Sequence, residues 1–156
     1  MEVEEFDVPP MVRQGQLIEE IAGQLPDRVQ GVWSQLWFKH RNLSKLSGGR
    51  IEFLRPDGTN GYSLPPRPVL PLLDELREVM YRPGSGTWFS AAWTLTKDDA
   101  GQVSVDVSFN FDEEPDWDPP IRAFNYAVDQ EDFPRDEEHM PDWLRERIEQ
   151  AQQSSE

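Results

Sequence analysis

The chain predicts an α+β fold, an antiparallel sheet with helices packed on one face. Three observations carry that prediction. Apolar residues recur at helical spacing in two stretches, 12–25 and 69–81. Between Phe89 and Phe111 they alternate with polar residues on both sides of a turn, the pattern of a hairpin with one buried and one wet face. The length, 156 residues, suits one domain over 1–156 that buries roughly 70% of its unfolded surface.

The elements follow in order. Residues 1–11 are acidic and contain Pro9-Pro10, which reads as a loosely held arm. Leu17, Ile18, Ile21 and Leu25 form the inner stripe of a first helix that ends near Pro26. Val32, Leu36 and Phe38, set against Trp33 and Trp37, predict a strand to about His40, followed by a polar loop from Asn42 to Gly49. Ile51 and Phe53 make a short second strand closed by Pro56-Asp57-Gly58, and Tyr62-Ser63-Leu64 adds a brief third. The second helix carries Val69, Leu72, Leu73, Leu76, Val79 and Met80 on one face. Pro71 sits in its first turn, where the missing N–H costs little, and Pro83-Gly84-Ser85-Gly86 stops it. In the hairpin, Phe89, Ala91, Trp93 and Leu95 pair across Asp98-Asp99-Ala100-Gly101 with Val103, Val105, Val107, Phe109 and Phe111. An extended acidic segment follows. Phe124-Asn125-Tyr126 reads as a short extended piece, and a last helix runs from Pro141 to about Ala151, with Trp143, Leu144 and Ile148 inward and residues 152–156 frayed. The expected order is α-β-β-(β)-α-β-β-extended-α, with no repeat and no second hydrophobic core.

Charge is one-sided. From Gly101 to the end there are 16 Asp and Glu against 4 Arg, a net charge of −12, whereas the whole chain carries −15. Such a field repels nucleic acid and anionic membrane and steers a basic partner inward. The acids are interleaved with Trp117, Phe124, Tyr126, Phe133, Trp143 and Leu144. A solvated tail is poor in aromatics, so this segment is expected to be structured with an acidic outer face.

Catalytic chemistry finds little footing. There is no cysteine, which excludes disulfides, thiolate metal sites and a cysteine nucleophile. The N-terminus has no apolar run and no stretch reaches the ~20 residues of a membrane span, so a cytoplasmic protein is expected. His40 and His139 lie in no nucleophile–base motif and read as ordinary surface histidines. Gly84-Ser85-Gly86 lacks the Gly-Lys-Ser/Thr ending of a phosphate loop and reads as a turn, and Ser47-Gly48-Gly49 has no anion-binding context. Asp112, Glu113, Glu114, Asp116 and Asp118 offer hard oxygens, but Pro115 and Trp117 stand where a calcium loop needs ligands and a glycine. No metal, cofactor or catalytic residue is expected. Trp93 reads as core, and Trp117 as either a packing anchor or an interface hot spot.

The order of elements carries a resemblance. A leading helix, a Trp-bearing strand and an Asp-Gly turn precede a second helix with Leu72-Leu73-Asp74-Glu75-Leu76. The Trp-bearing hairpin ends in Phe109-Asn110-Phe111-Asp112-Glu113-Glu114-Pro115, and Phe133-Pro134-Arg135-Asp136 and Met140-Pro141-Asp142-Trp143-Leu144 follow. Over roughly residues 15–147 this resembles the YezG-like immunity proteins of bacterial polymorphic-toxin systems, its ending similar to actinobacterial members. The resemblance implies a non-enzymatic antitoxin. It would neutralise a cognate secreted toxin domain, a basic nuclease or another hydrolase such as an NAD glycohydrolase. The acidic-aromatic surface expected to bind it comprises Asp112, Glu113, Glu114, Asp116, Trp117 and Asp118, with Glu137, Glu138 and Asp142. Two other readings stand beside it: an acidic nucleic-acid mimic that regulates a basic host protein, and a carboxylate-dependent hydrolase. Oligomeric state is left open.

Overall fold

The computed structural model describes residues 8–154. The order is α1 (Pro10–Gln24), a 3-10 turn (Leu25–Arg28), β1 (Gln35–Asn42), β2 (Ser47–Leu54), β3 (Asn60–Ser63), α2 (Val69–Val79), β4 (Ser90–Lys97), β5 (Val103–Asn110), α3 (Ala123–Asp132), a 3-10 turn (Glu137–His139) and α4 (Asp142–Ser154). The strands form one five-stranded sheet, β3-β2-β1-β4-β5, antiparallel at every pairing. The fold is α+β, as the periodicity predicted.

Alternation along the strands sends Leu36, Phe38, Ile51, Phe53, Ala91, Trp93 and Leu95 to one face. There they meet Leu17, Ile21 and Ala22 of α1 and Val69, Leu73 and Leu76 of α2, all buried. Each large side chain closed away here is worth roughly 1.5–3 kcal/mol. Trp93 is fully enclosed, and its indole N–H donates to the Ile18 carbonyl of α1 at 3.2 Å, so its one polar group is satisfied.

A second core exists that the sequence reading did not find. Leu43, Phe89, Tyr126 and Leu144 are buried together, with Trp117, Ile121, Met140, Trp143 and Ile148 packed around them. Phe89 and Tyr126 both meet the Trp143 ring edge-on, at 5.2 and 5.3 Å. The stretch expected to be extended at Phe124-Asn125-Tyr126 is the first half of α3. Only Tyr126 of the two aromatics turns inward, and the other fully inward position is Asp129, while Phe124 stays 59% exposed. A carboxylate on the buried stripe hides helical periodicity from any apolar count.

That carboxylate locks the two cores together. Arg77 of α2 and Asp129 of α3 form a bidentate pair, both side chains 1% exposed. Arg77 also donates through Nε to the Trp88 carbonyl at 2.6 Å and lies 4.8 Å from the Phe133 ring centre. Asp129 accepts in addition from the Ser44 amide (2.9 Å) and hydroxyl (3.2 Å).

Several local expectations are corrected. α1 begins at Pro10, whose fixed φ suits a first helical position, rather than at Val12; residues 1–7 of the expected arm lie outside the described residues, as do residues 155–156 of the expected frayed end. α4 continues to Ser154. Val32 is 66% exposed and precedes β1, while Trp33 is buried, so the strand phase starts only at Gln35. The loop after β1 is residues 43–46; Gly48 and Gly49 belong to β2. Gly49 sits opposite His40, and a Cβ there would meet His40 Nδ1 at 2.6 Å, so the strand passes only if that position is bare. His40 itself is no surface histidine. It is 1% exposed, its Nε2 is 2.8 Å from Asn42 Oδ1, and Asn42 Nδ2 donates to Asp74 at 3.0 Å. This network assigns the proton to Nε2 and leaves Nδ1 bare. Finally, β5 is not covered along its length: Val103 and Val105 are exposed although they share the inner face.

Two measurements test this architecture. Asp129→Asn leaves a buried guanidinium without its counter-charge and should cost about 3–5 kcal/mol by urea unfolding, while replacing both partners with apolar residues should recover most of it; a loss below about 1 kcal/mol for the single variant would refute the role. Burial holds the His40 pKa down from 6.5 to about 4. The unfolded chain therefore takes up a proton that the folded chain refuses, so this contribution is full above pH 6.5 and is lost as pH falls toward 4. The unfolding free energy should drop over that window by up to about 3 kcal/mol more than in His40→Gln, and parallel curves would show that the imidazole is not shielded.

Candidate functional site

The segment from Phe111 to Ile121 runs from the end of β5 to α3 as a strap without regular structure. Five side chains pin it. Arg135 Nη2 donates to the Phe111 carbonyl (2.5 Å) and Trp143 Nε1 to the Asp112 carbonyl (2.7 Å). Asn110 donates to the Glu113 carbonyl (2.9 Å) while accepting the amides of Asp112 and Glu113. Arg41 Nη1 reaches from β1 to the Asp116 carbonyl (2.7 Å), its guanidinium 5.4 Å from the Trp117 ring centre. Arg147 takes the Glu114 carboxylate bidentately at 2.8 and 3.1 Å.

Four of the five donors are satisfied by main-chain carbonyls. The carboxylates of Asp112, Glu113, Asp116 and Asp118 are therefore left outward and exposed while their backbone is held. Glu114 departs from the expected set, being half-buried and consumed by Arg147, whose pKa is raised by that hydrogen bond. Trp117 is half-buried with its indole nitrogen enclosed, packed on the second core, so it is an anchor of the strap.

The other expected acids lie on the far side of Arg135. This arginine donates to the carbonyls of His139 (3.0 Å) and Thr87 (3.1 Å) and stands 3.9 Å from Asp112 Oδ1, so Asp112 shares a ridge with the turn Glu137–His139. Glu137 and Glu138 are exposed there. Asp142 opens α4 and pairs with Arg145 at 2.9 Å, and Glu137 approaches Arg145 at 3.7 Å. Asp116 and Asp118 instead face the outer side of the sheet. The structure thus brings Asp112 to Glu137, Glu138 and Asp142 and separates them from Asp116 and Asp118. Burial lowers the Arg135 pKa and raises that of the Tyr126 phenol beneath the strap.

Two hollows border the strap. On the open face of the sheet a groove of about 740 Å³ has Lys39, Arg41 and Arg50 as one wall, Ala92 and Ser108 as floor, and Asp116 with Asp118 as rim. Lys39 and Arg50 are cross-strand partners that share Glu52, at 4.0 and 3.9 Å. Sequence reasoning missed this basic wall, although Lys39 and Arg41 alternate with the inward Phe38 and His40. A smaller hollow of about 410 Å³ lies between the strap and α4, lined by Glu114, Trp117, Tyr126 and Arg147.

The two histidines are placed very differently. His40 is sealed in the core, and His139 is exposed beside Glu138 at 4.0 Å. Asp136, Glu138 and His139 bring ligand atoms within 4.8 Å of one another at the surface. The carboxylates of Asp112–Asp118 form no such group among the described residues. No helix among the described residues is long and apolar enough to cross a membrane. No family model matches this chain, and no curated protein is significantly similar to it.

Proposed function

We propose that the protein is an immunity protein that occupies and neutralises a basic toxin domain, a nuclease or another hydrolase, in the cytoplasm. The observation that carries the reading is the strap: exposed carboxylates on a backbone already fixed by Arg41, Asn110, Arg135 and Trp143. A charged surface held in place loses little conformational freedom on binding, and what it gains is fast, salt-sensitive association and rejection of wrong partners. The resemblance to YezG-like immunity proteins points the same way. The mimicry of nucleic acid toward a basic host protein would use the same carboxylates; a toxin domain encoded beside this gene, co-purifying with the protein, decides for immunity.

With that toxin domain in hand, converting Asp112, Glu113, Asp116 and Asp118 to their amides should slow association about tenfold at low salt, with the gap closing near 0.5 M NaCl. Equal association rates would remove the strap from the interface. Trp143→Phe keeps every charge but frees the Asp112 carbonyl; it should leave association unchanged and speed dissociation about fivefold, the worth of one hydrogen bond. An unaltered dissociation rate would mean that rigidity of the strap contributes nothing.

A further inference from the structure

The two edges of the sheet are built differently. β3 is four residues long, and its Ser63 hydroxyl is turned back to the Arg28 carbonyl; prolines 65, 66 and 68 follow at once. It is a short, blunted edge. β5 at the other edge is eight residues long, keeps one continuous register with β4, and contains neither proline nor lysine. Native sheets seldom leave such an edge bare.

The direction of its free main-chain groups follows from the turn. Asp98 N–H donates to Gln102 O at 2.9 Å, Gly101 N–H donates to Asp98 O at 3.0 Å, and Gly101 holds φ +83°. Hydrogen-bonded pairs then recur every second residue, so Ser104, Asp106, Ser108 and Asn110 bond to β4. Val103, Val105, Val107 and Phe109 direct N–H and C=O outward. Among the described residues none of those eight main-chain groups is hydrogen-bonded elsewhere. The same residues carry the uncovered apolar side chains, Val103 at 45% and Val105 at 48% exposed. Unused hydrogen-bonding groups and unburied apolar area coincide.

Charge selects the occupant. From Asp98 to Ile121 the chain has eight carboxylates and no basic residue, Asp106 lies midway along β5, and β5 runs directly into the strap. A second copy, also at −15, is repelled. We infer that the β5 edge receives an extended segment of a partner protein as a sixth, antiparallel strand. Its inward side chains are aliphatic, covering Val103 and Val105, and its outward ones are basic, beside Asp106. This docking surface stands whether or not the partner is a toxin.

The test uses the whole protein and a seven-residue peptide in which lysine and valine alternate, read by amide hydrogen exchange in NMR. The peptide should slow exchange at Val103, Val105, Val107 and Phe109 about tenfold or more, with little change at Ser104, Asp106 and Ser108. N-methylation of the peptide valines, whose N–H groups face the edge, should abolish the effect, and N-methylation of its lysines should not. Val105→Pro removes an outward N–H and no bond to β4, and should weaken binding at least about fivefold. The strap variant with amides at 112, 113, 116 and 118 should still be protected, which separates this inference from the function proposed above. No slowing at the four amides, equal action of both methylated peptides, or protection that grows with protein concentration alone would overturn it. The methylated peptides need no change to the protein, so the test holds even where the proline variant fails to fold.

Discussion

The buried pair between Arg77 and Asp129 is the constraint on which the rest of the molecule depends. The main hydrophobic core takes its helical residues from α1 and α2. What attaches the second core is a guanidinium on α2 whose neutralising carboxylate comes from α3. Neither group can stay charged and buried alone, because the desolvation cost of each is several kcal/mol. Docking of α3 and folding of the first core are therefore coupled by charge as well as by apolar area. Arg135 extends the same logic without a full counter-ion: it is buried, stacked 4.7 Å over Phe89, and donates through its two Nη atoms to three carbonyls, those of Thr87, Phe111 and His139. One of those three is the first residue of the strap, so the geometry of the acidic surface is set from inside the protein.

This explains how a strongly acidic segment can be ordered at all. Four outward carboxylates within seven residues repel one another, and such a stretch alone would stay extended and mobile. Here the cations are used mostly against its main chain, Arg147 on the Glu114 carboxylate being the exception. Of the four arginines that follow Gly101, Arg135 is buried against carbonyls, Arg147 holds Glu114, and Arg145 pairs at the surface with Asp142; Arg41 is lent from β1. The field of Asp112, Glu113, Asp116 and Asp118 is left largely intact, because Arg41 and Arg135 donate to carbonyls and Arg147 is taken by Glu114. Trp117, Pro115 and Ile121 supply the apolar weight that keeps the strap down.

Period-two and period-3.6 patterns made α1, α2 and the β4–β5 hairpin legible, since each has one apolar face and one polar face. What escaped shares a cause. Asp129, Arg77, Arg135, His40 and Asn42 are polar residues in buried places, all but His40 paired with groups distant in sequence, and a pattern reader assigns each of them to the surface. The α3 helix was lost with Asp129, and the β1–β2 boundary with His40 and Asn42. The acidic surface was half legible: its composition announced it, but the fate of Glu114 depended on Arg147 in a helix 33 residues away.

The hairpin shows the limit most clearly, because there the pattern was right and the burial was not. Alternation establishes which side chains share a face; it says nothing of whether another layer reaches far enough to cover that face. α1 and α2 cover β4 and the end of β5 near Phe109, and they stop short of Val103 and Val105. An edge strand with a soluble role and no partner would be expected to carry a lysine, a proline or a bulge in those places. β5 carries two valines and a fully regular ladder. The apolar period that the strand needs in order to fold is continued past the point where folding uses it, and that surplus is what a partner strand would meet.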